Sequence, residues 1–272
     1  MPFTASVITT DQWGARSPRN APFPRTIPRF VVIHHTATPN PPTEFSKSSL
    51  DGTKSFARRI QGWHMDDNGW SDSGHNFLNT TAGVLLEGRH GSLSAVKQGL
   101  CIRSAHAAQD PGKLAGGNQS PGIENEGTFN SHPMGKEQWD SLVVLCESLC
   151  SSCSIPPANI RGHRDFSNTD CPGDWLYGQL ARLRKEVAIK LSLPIPKSEV
   201  AQGSRAIDLE FGSEGPEVLL LQERLRERGF SPGASDGDFG DNTRSAVVAF
   251  QKSLGLKPDG IVGKITRTAL DL

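Results

Sequence analysis

Neither sign of charge is in excess in this 272-residue chain, where 29 basic residues face 29 acidic ones. Such a balance supplies no field to gather nucleic acid or anionic lipid, so neither is an expected partner. No apolar run approaches membrane-spanning length, and no membrane span is expected. The stretch from Met1 to Thr10 lacks the basic segment, long apolar core and small-residue cleavage site of a secretory signal, which points to synthesis in the cytoplasm. Tyrosine is almost missing, with Tyr177 the single copy. Cysteine is scarce and odd in number, at 101, 146, 150, 153 and 171. Cys146 and Cys150 fall at helical spacing with Trp139, Leu142, Val143 and Leu149, which reads as small core residues rather than disulfide partners.

What is present concentrates in Arg161-Gly-His-Arg-Asp-Phe-Ser-Asn-Thr-Asp-Cys-Pro-Gly173. Imidazole and thiolate are both zinc ligands, and one Cys with two His leaves a fourth tetrahedral position open to water. His163 and Cys171 therefore ask for a second histidine. Phe30-Val-Val-Ile-His-His-Thr-Ala-Thr38 offers two, at the end of a β-branched apolar run that reads as a buried strand. Side chains alternate along a strand, so His34 and His35 do not point at one metal, and only one of them is expected to be a ligand.

These segments, together with Trp13-Gly-Ala-Arg16, resemble the zinc N-acetylmuramoyl-L-alanine amidases of the type-2 amidase and peptidoglycan recognition protein superfamily. The resemblance covers roughly the first two-thirds of the chain and rests on motifs in the same order. It implies a Zn2+ site of His34, His163 and Cys171, and hydrolysis of the amide between N-acetylmuramoyl and L-alanine. Many members carry a proton-transferring tyrosine in Gly-Tyr-x-Phe. Here the segment is Gly74-His-Asn-Phe77, which puts His75 at that position. Gly122-Ile-Glu-Asn-Glu-Gly127 resembles the strand of the branch that cleaves wall turnover fragments, whose first glutamate transfers the proton. Glu124 is the better candidate on that ground. On a strand Glu124 and Glu126 face one side, and nearby carboxylates raise one another's pKa, which suits a general base near neutral pH. Thr169 matches a position that steadies the developing oxyanion. His106, in Arg103-Ser-Ala-His-Ala107, resembles a segment lining the substrate groove, with a satisfied core histidine as the other reading.

The order of elements predicts an α/β fold with a mixed sheet flanked by helices, followed by a small all-α three-helix domain. The catalytic domain is expected over residues 1–191, a linker over 192–207 and the helical domain over 208–272. Five prolines predict irregular structure over residues 1–29, and Pro39 to Ser49 reads as a mobile loop near the mouth of the site. Helices are predicted from about Lys54 to Met65, where His64 packs on or caps the helix, near Lys136 to Ser151, and from Trp175 to Leu191. Val218, Leu221 and Leu225 make one apolar stripe of the tail. Ala246, Val247, Phe250 and Leu254 make a second, and Ile265 and Leu270 a short third.

Gly215-Pro-Glu-Val218, Leu221-Gln222, Asp236-Gly-Asp-Phe-Gly240 with Thr243, Ala249-Phe-Gln251 and Pro258-Asp-Gly-Ile-Val-Gly263 resemble the peptidoglycan-binding module found beside many wall hydrolases. Asp236 to Asp241 starts like a calcium loop but carries Gly240, Asp241 and Val247 where that loop needs other residues, so a turn is expected. The reading is a monomeric, endolysin-like wall hydrolase acting on peptidoglycan or muropeptides. Two alternatives stand beside it. One is a non-catalytic peptidoglycan receptor, and the other is a cysteine hydrolase using Cys101.

Overall fold

Val31, Val32 and Ile33 are wholly buried and form, with His34 and His35, an inner strand of a five-stranded sheet. A computed structural model describes residues 2–192, 208–270 and 272. The chain divides into two units, Met1–Ile195 and Pro196–Leu272. The expected linker at 192–207 lies, apart from Ser192, outside the described residues.

The first unit runs α1 (Thr10–Trp13), β1 (Arg25–Thr26), β2 (Val31–His35), α2 (Leu50–Gly62), β3 (Phe77–Asn79) and β4 (Leu85–Glu87). It continues through α3 (Ser92–Val96), β5 (Cys101–Ile102), β6 (Gly122–Asn125), α4 (Lys136–Ser152), β7 (Ile160–Gly162), α5 (Asp174–Gly178) and α6 (Leu180–Lys190). The sheet order is β4-β3-β6-β2-β7, antiparallel between β3 and β4 and parallel elsewhere. The mixed sheet with flanking helices agrees with the prediction. The expected helix after Trp175 is broken into α5 and α6 around Gly178 and Gln179. The region before β2, expected to be irregular, supplies α1 and the strand β1 that pairs with β5.

Alternation along β2 sorts the layers. Val31 and Ile33 join Leu142, Leu145, Cys146 and Leu149 of α4 in the larger core. Val32 turns to the other face, where it packs with Phe30, Ala107 and Phe166. His34, two residues on, shares that second face. Trp13 is buried against Phe56, Ile60, Leu78 and Leu86, and its indole N–H donates to the Glu87 carbonyl at 2.8 Å. Burial of each such side chain contributes on the order of 1.5–3 kcal/mol. The Pro39 to Ser49 segment, expected to be mobile, is tied to the end of β6. Asn40 Nδ2 donates to the Thr128 carbonyl at 3.0 Å, and the Ser46 N–H to Glu126 Oε1 at 2.8 Å.

The second unit holds α7 (Pro216–Glu227), α8 (Asp241–Ser253) and α9 (Lys264–Leu270) around Val218, Leu221, Leu225, Val247, Phe250, Val262 and Leu270. Two members of the expected stripes lie outside this core. Leu254 is 51% exposed because α8 ends at Ser253, and Ile265 is 69% exposed because Thr266 and Leu270, one turn apart, define the inner face of α9.

Each Asp-Gly turn is held by a buried glutamine in the same way. Gln222 Nε2 donates to Asp236 Oδ1, the Asp238 carbonyl and Thr243 Oγ1, while its Oε1 accepts from the Gly237 N–H. Gln251 does the same with Asp259, the Ile261 carbonyl, Thr266 and the Gly260 N–H. The module is thus a structural repeat of glutamine, turn and threonine. Asp236 Oδ1 also accepts from the Asp238 N–H, which is a turn and not an open cation loop. Gln222→Ala leaves the buried Gly237 N–H without its acceptor and should cost this unit about 1–3 kcal/mol. All five tryptophans, at 13, 63, 70, 139 and 175, precede the second unit. Chemical denaturation should therefore show an earlier helical circular-dichroism transition with unchanged tryptophan fluorescence.

Candidate active site

Parallel pairing of β2 with β6 sets His34 opposite Glu124 at the carboxyl ends of both strands. The loop after β7 then brings His163 and Cys171 to the same end. One donor atom from each of His34, His163 and Cys171 lies within 4.8 Å of the others, and His34 Nδ1 is 3.7 Å from Cys171 Sγ. A tetrahedral ion with nitrogen at about 2.0 Å and sulfur at about 2.3 Å spans a ligand edge of about 3.5 Å, so this spacing suits one. Alternation turns His35 away, and its Nδ1 accepts from the Phe129 N–H at 3.2 Å. Its own N–H donates to Cys171 Sγ at 3.4 Å.

Burial sets the protonation of this set. It pushes His34 well below the ordinary imidazole range, helped by the neighbouring histidines, and it lowers His163 to about 4. Both rings thus keep a free lone pair at neutral pH. Burial and the nearby Glu124 raise the Cys171 thiol, partly offset by the His35 N–H. The donor set therefore fits a divalent cation, whose charge replaces the thiol proton.

Glu124 is 5% exposed, and burial alone raises its pKa well above the carboxylate range. The expected like-charge contribution from Glu126 is not found. Glu126 follows the end of β6 and spends both oxygens on the N–H groups of Ser46 and Thr81 and on the Thr81 hydroxyl. His75 lies against this carboxylate, Nδ1 to Oε2, and burial lowers its pKa. Thr169 Oγ1 accepts the Cys171 N–H at 3.2 Å and lines an open cleft of about 780 Å³ with Lys113, Arg161, Arg164 and Asp170.

Two histidines differ from their sequence reading. His106, expected to line the substrate groove, is 5% exposed, with one ring nitrogen 2.9 Å from His34 Nε2 and the other 3.0 Å from the Ser120 carbonyl. The other reading, a satisfied buried histidine, describes it. His64, expected only to pack on its helix, sits on a π-turn after α2, stacks on Trp70 and reaches the His75–Glu124 pair. Its Nδ1 accepts the Gly74 N–H at 3.0 Å, so its ring proton is on Nε2. With Nδ1 occupied and Nε2 protonated, it has no lone pair left for a second ion. Only the tertiary fold places His64 here, and no local motif announces it.

Residues 24–174 match the family model described as N-acetylmuramoyl-L-alanine amidase, and residues 214–270 match a peptidoglycan binding domain. The first match spans more than half of the chain, which belongs to that family. The chain is 32% identical over 157 residues to the N-acetylmuramoyl-L-alanine amidase CwlL of Bacillus licheniformis, covering 54% of this chain. It spans only 43% and 42% of the lengths of the two Bacillus licheniformis relatives it matches. In structure it is similar to Drosophila PGRP-LB, with a TM-score of 0.52 and 25% identity over 65% of this chain and 94% of that one. It is also similar to the tracheal cytotoxin-bound ectodomain complex of PGRP-LCa and PGRP-LCx, with a TM-score of 0.50 and 27% identity over 63% and 92%.

Cys101, the alternative nucleophile, has no exposed surface, and its thiol donates to the Ile102 carbonyl at 3.2 Å. Burial raises its pKa, so it offers neither access nor thiolate, and the cysteine-hydrolase alternative fails. Cys101→Ala should leave hydrolytic turnover unchanged in a muropeptide-release assay. Metal binding at pH 7 should release the Cys171 proton, seen by calorimetry in buffers of different ionisation enthalpy.

Proposed function

We propose that the chain is a zinc-dependent hydrolase of the amide between N-acetylmuramoyl and L-alanine in peptidoglycan, held on that polymer by its C-terminal module. The observation that carries this reading is the convergence of His34, His163 and Cys171 beside a buried, register-matched Glu124. Family membership and the tracheal cytotoxin on the related PGRP-LCa and PGRP-LCx ectodomains support the substrate class. A wall-binding module would raise the local substrate concentration without adding catalytic contacts. The site of action in this reading is the cell wall or its turnover fragments.

Zinc on His34, His163 and Cys171 would supply a lowered water pKa and a polarised carbonyl. The chain's own groups do the proton work. Glu124, as the carboxylate, takes a proton from the attacking water and returns it to the departing L-alanine nitrogen. His75 Nδ1, in contact with Glu124 Oε2, orients that carboxylate and shares its proton. The Thr169 hydroxyl, already accepting from the Cys171 N–H, keeps its own hydrogen for the developing oxyanion. The cleft along Arg161, Arg164 and Lys113 gives the stem peptide a polar, cationic wall. A non-catalytic receptor has no use for a complete donor set joined to a buried base, so the hydrolase is the reading favoured here.

Because burial raises the Glu124 pKa, its carboxylate form appears only at higher pH than for an exposed glutamate. The acid limb of kcat/KM should therefore lie above the ordinary carboxylate range, activity rising with pH. Glu124→Gln should lower kcat by about 10²–10⁴-fold and abolish that limb, with zinc content by atomic absorption unchanged. Near-normal turnover by the zinc-loaded variant contradicts the assignment.

A further inference from the structure

We infer that His106 is a positioning residue that fixes the ring tautomer of His34 and so aims the His34 Nδ1 lone pair at the metal position, with Gly122 making room for it. This rests on the metal reading above. It gives a role to a histidine that touches neither His163 nor Cys171 in any hydrogen bond of the site.

The Ser120 carbonyl oxygen can only accept, so the nitrogen 3.0 Å from it, His106 Nε2, carries a hydrogen. His106 is buried, and its two ring nitrogens meet the Ser120 carbonyl and the His34 ring, neither of which carries a negative charge to support an imidazolium, so the ring is neutral and Nδ1 keeps a lone pair. That lone pair faces His34 Nε2 at 2.9 Å. His34 Nε2 must therefore be the donor, and the neutral His34 ring has its lone pair on Nδ1. This is the nitrogen 3.7 Å from Cys171 Sγ. Without the relay, either His34 nitrogen could hold the hydrogen, and a hydrogen on Nδ1 would block ligation.

The start of the relay is itself anchored. The Ser120 side chain has no exposed surface, donates to the Gly116 carbonyl at 2.9 Å and accepts from the Phe30 N–H at 3.3 Å. Gly122 completes the arrangement. A Cβ there would sit 2.5 Å from both Cδ2 and Nε2 of His106, closer than such contacts allow. Gly122 is a strand residue and is not among the residues with positive φ, so the backbone does not demand glycine. The imidazole lying over it does.

Three variants separate this role from simple packing. His106→Leu fills similar space without an acceptor and should weaken zinc affinity about 10–100-fold, measured by competition with a chromophoric chelator. His106→Asn, whose Oδ1 can accept from His34 Nε2, should restore most of that loss. Gly122→Ala, which leaves His106 in the sequence but displaces its ring, should weaken zinc binding as His106→Leu does. In the metal-free protein, long-range 1H–15N spectra should show His34 as the Nε2–H tautomer in the wild type and a mixture in His106→Leu. If His106→Leu does not fold, His106→Asn and Gly122→Ala still decide the matter. Wild-type zinc affinity and an unchanged His34 tautomer in Gly122→Ala and His106→Leu overturn the inference. A wild type that shows the Nε2–H tautomer yet binds no zinc overturns the metal reading while leaving the relay intact.

Discussion

The site depends on the parallel register of β2 and β6, which places His34 and Glu124 side by side on one face of the sheet. Parallel strands end together, so the groups that follow their last residues converge on one edge, as ligands do in open α/β sheets. Cross-strand pairing delivers the candidate ligand and the carboxylate to the same depth. A slip of one residue would turn His34 into the core and bring His35 to the site. The wholly buried Val31, Val32 and Ile33 forbid that slip, because either face would then present imidazole to packed hydrocarbon.

Burial then does the electrostatic work. The same exclusion of water that keeps His34 and His163 neutral holds Glu124 protonated more readily and the Cys171 thiol intact. A divalent cation reverses part of this, since it favours the thiolate and the carboxylate together. The unligated donor set is therefore a neutral cluster that suits a cation, and cation binding and proton release are linked. Around it, hydrogen bonds from fixed backbone groups decide which nitrogen of each ring carries hydrogen. The Ser120 carbonyl acts on His106, the Gly74 N–H on His64 and the Phe129 N–H on His35.

The candidate ligands were legible in the sequence because ligand chemistry is written in residue type, and local context supplied the rest. A β-branched run ending in two histidines predicts both a strand and the alternation that leaves one histidine out. The turns of the C-terminal unit were legible for the same reason, since Asp-Gly pairs specify local backbone. What escaped were relations made only by the tertiary fold. His106 and His34 are 72 residues apart, and nothing near either announces the bond. Glu126 shares the alternation of Glu124, yet Ser46 of the segment after β2 and Thr81 of the turn after β3 claim it. Leu254 and Ile265 satisfied a helical period that the real helix ends and faces did not follow.

The proposed cleavage of the muramoyl–L-alanine amide requires a metal on His34, His163 and Cys171. Its most direct test is mass analysis of the products released from purified peptidoglycan by the native, chelator-treated and zinc-restored protein. Free stem peptides beginning with L-alanine are expected, lost on chelation and recovered with zinc. Cleavage that survives complete metal removal, or binding to peptidoglycan without any bond broken by the zinc-loaded protein, would contradict it.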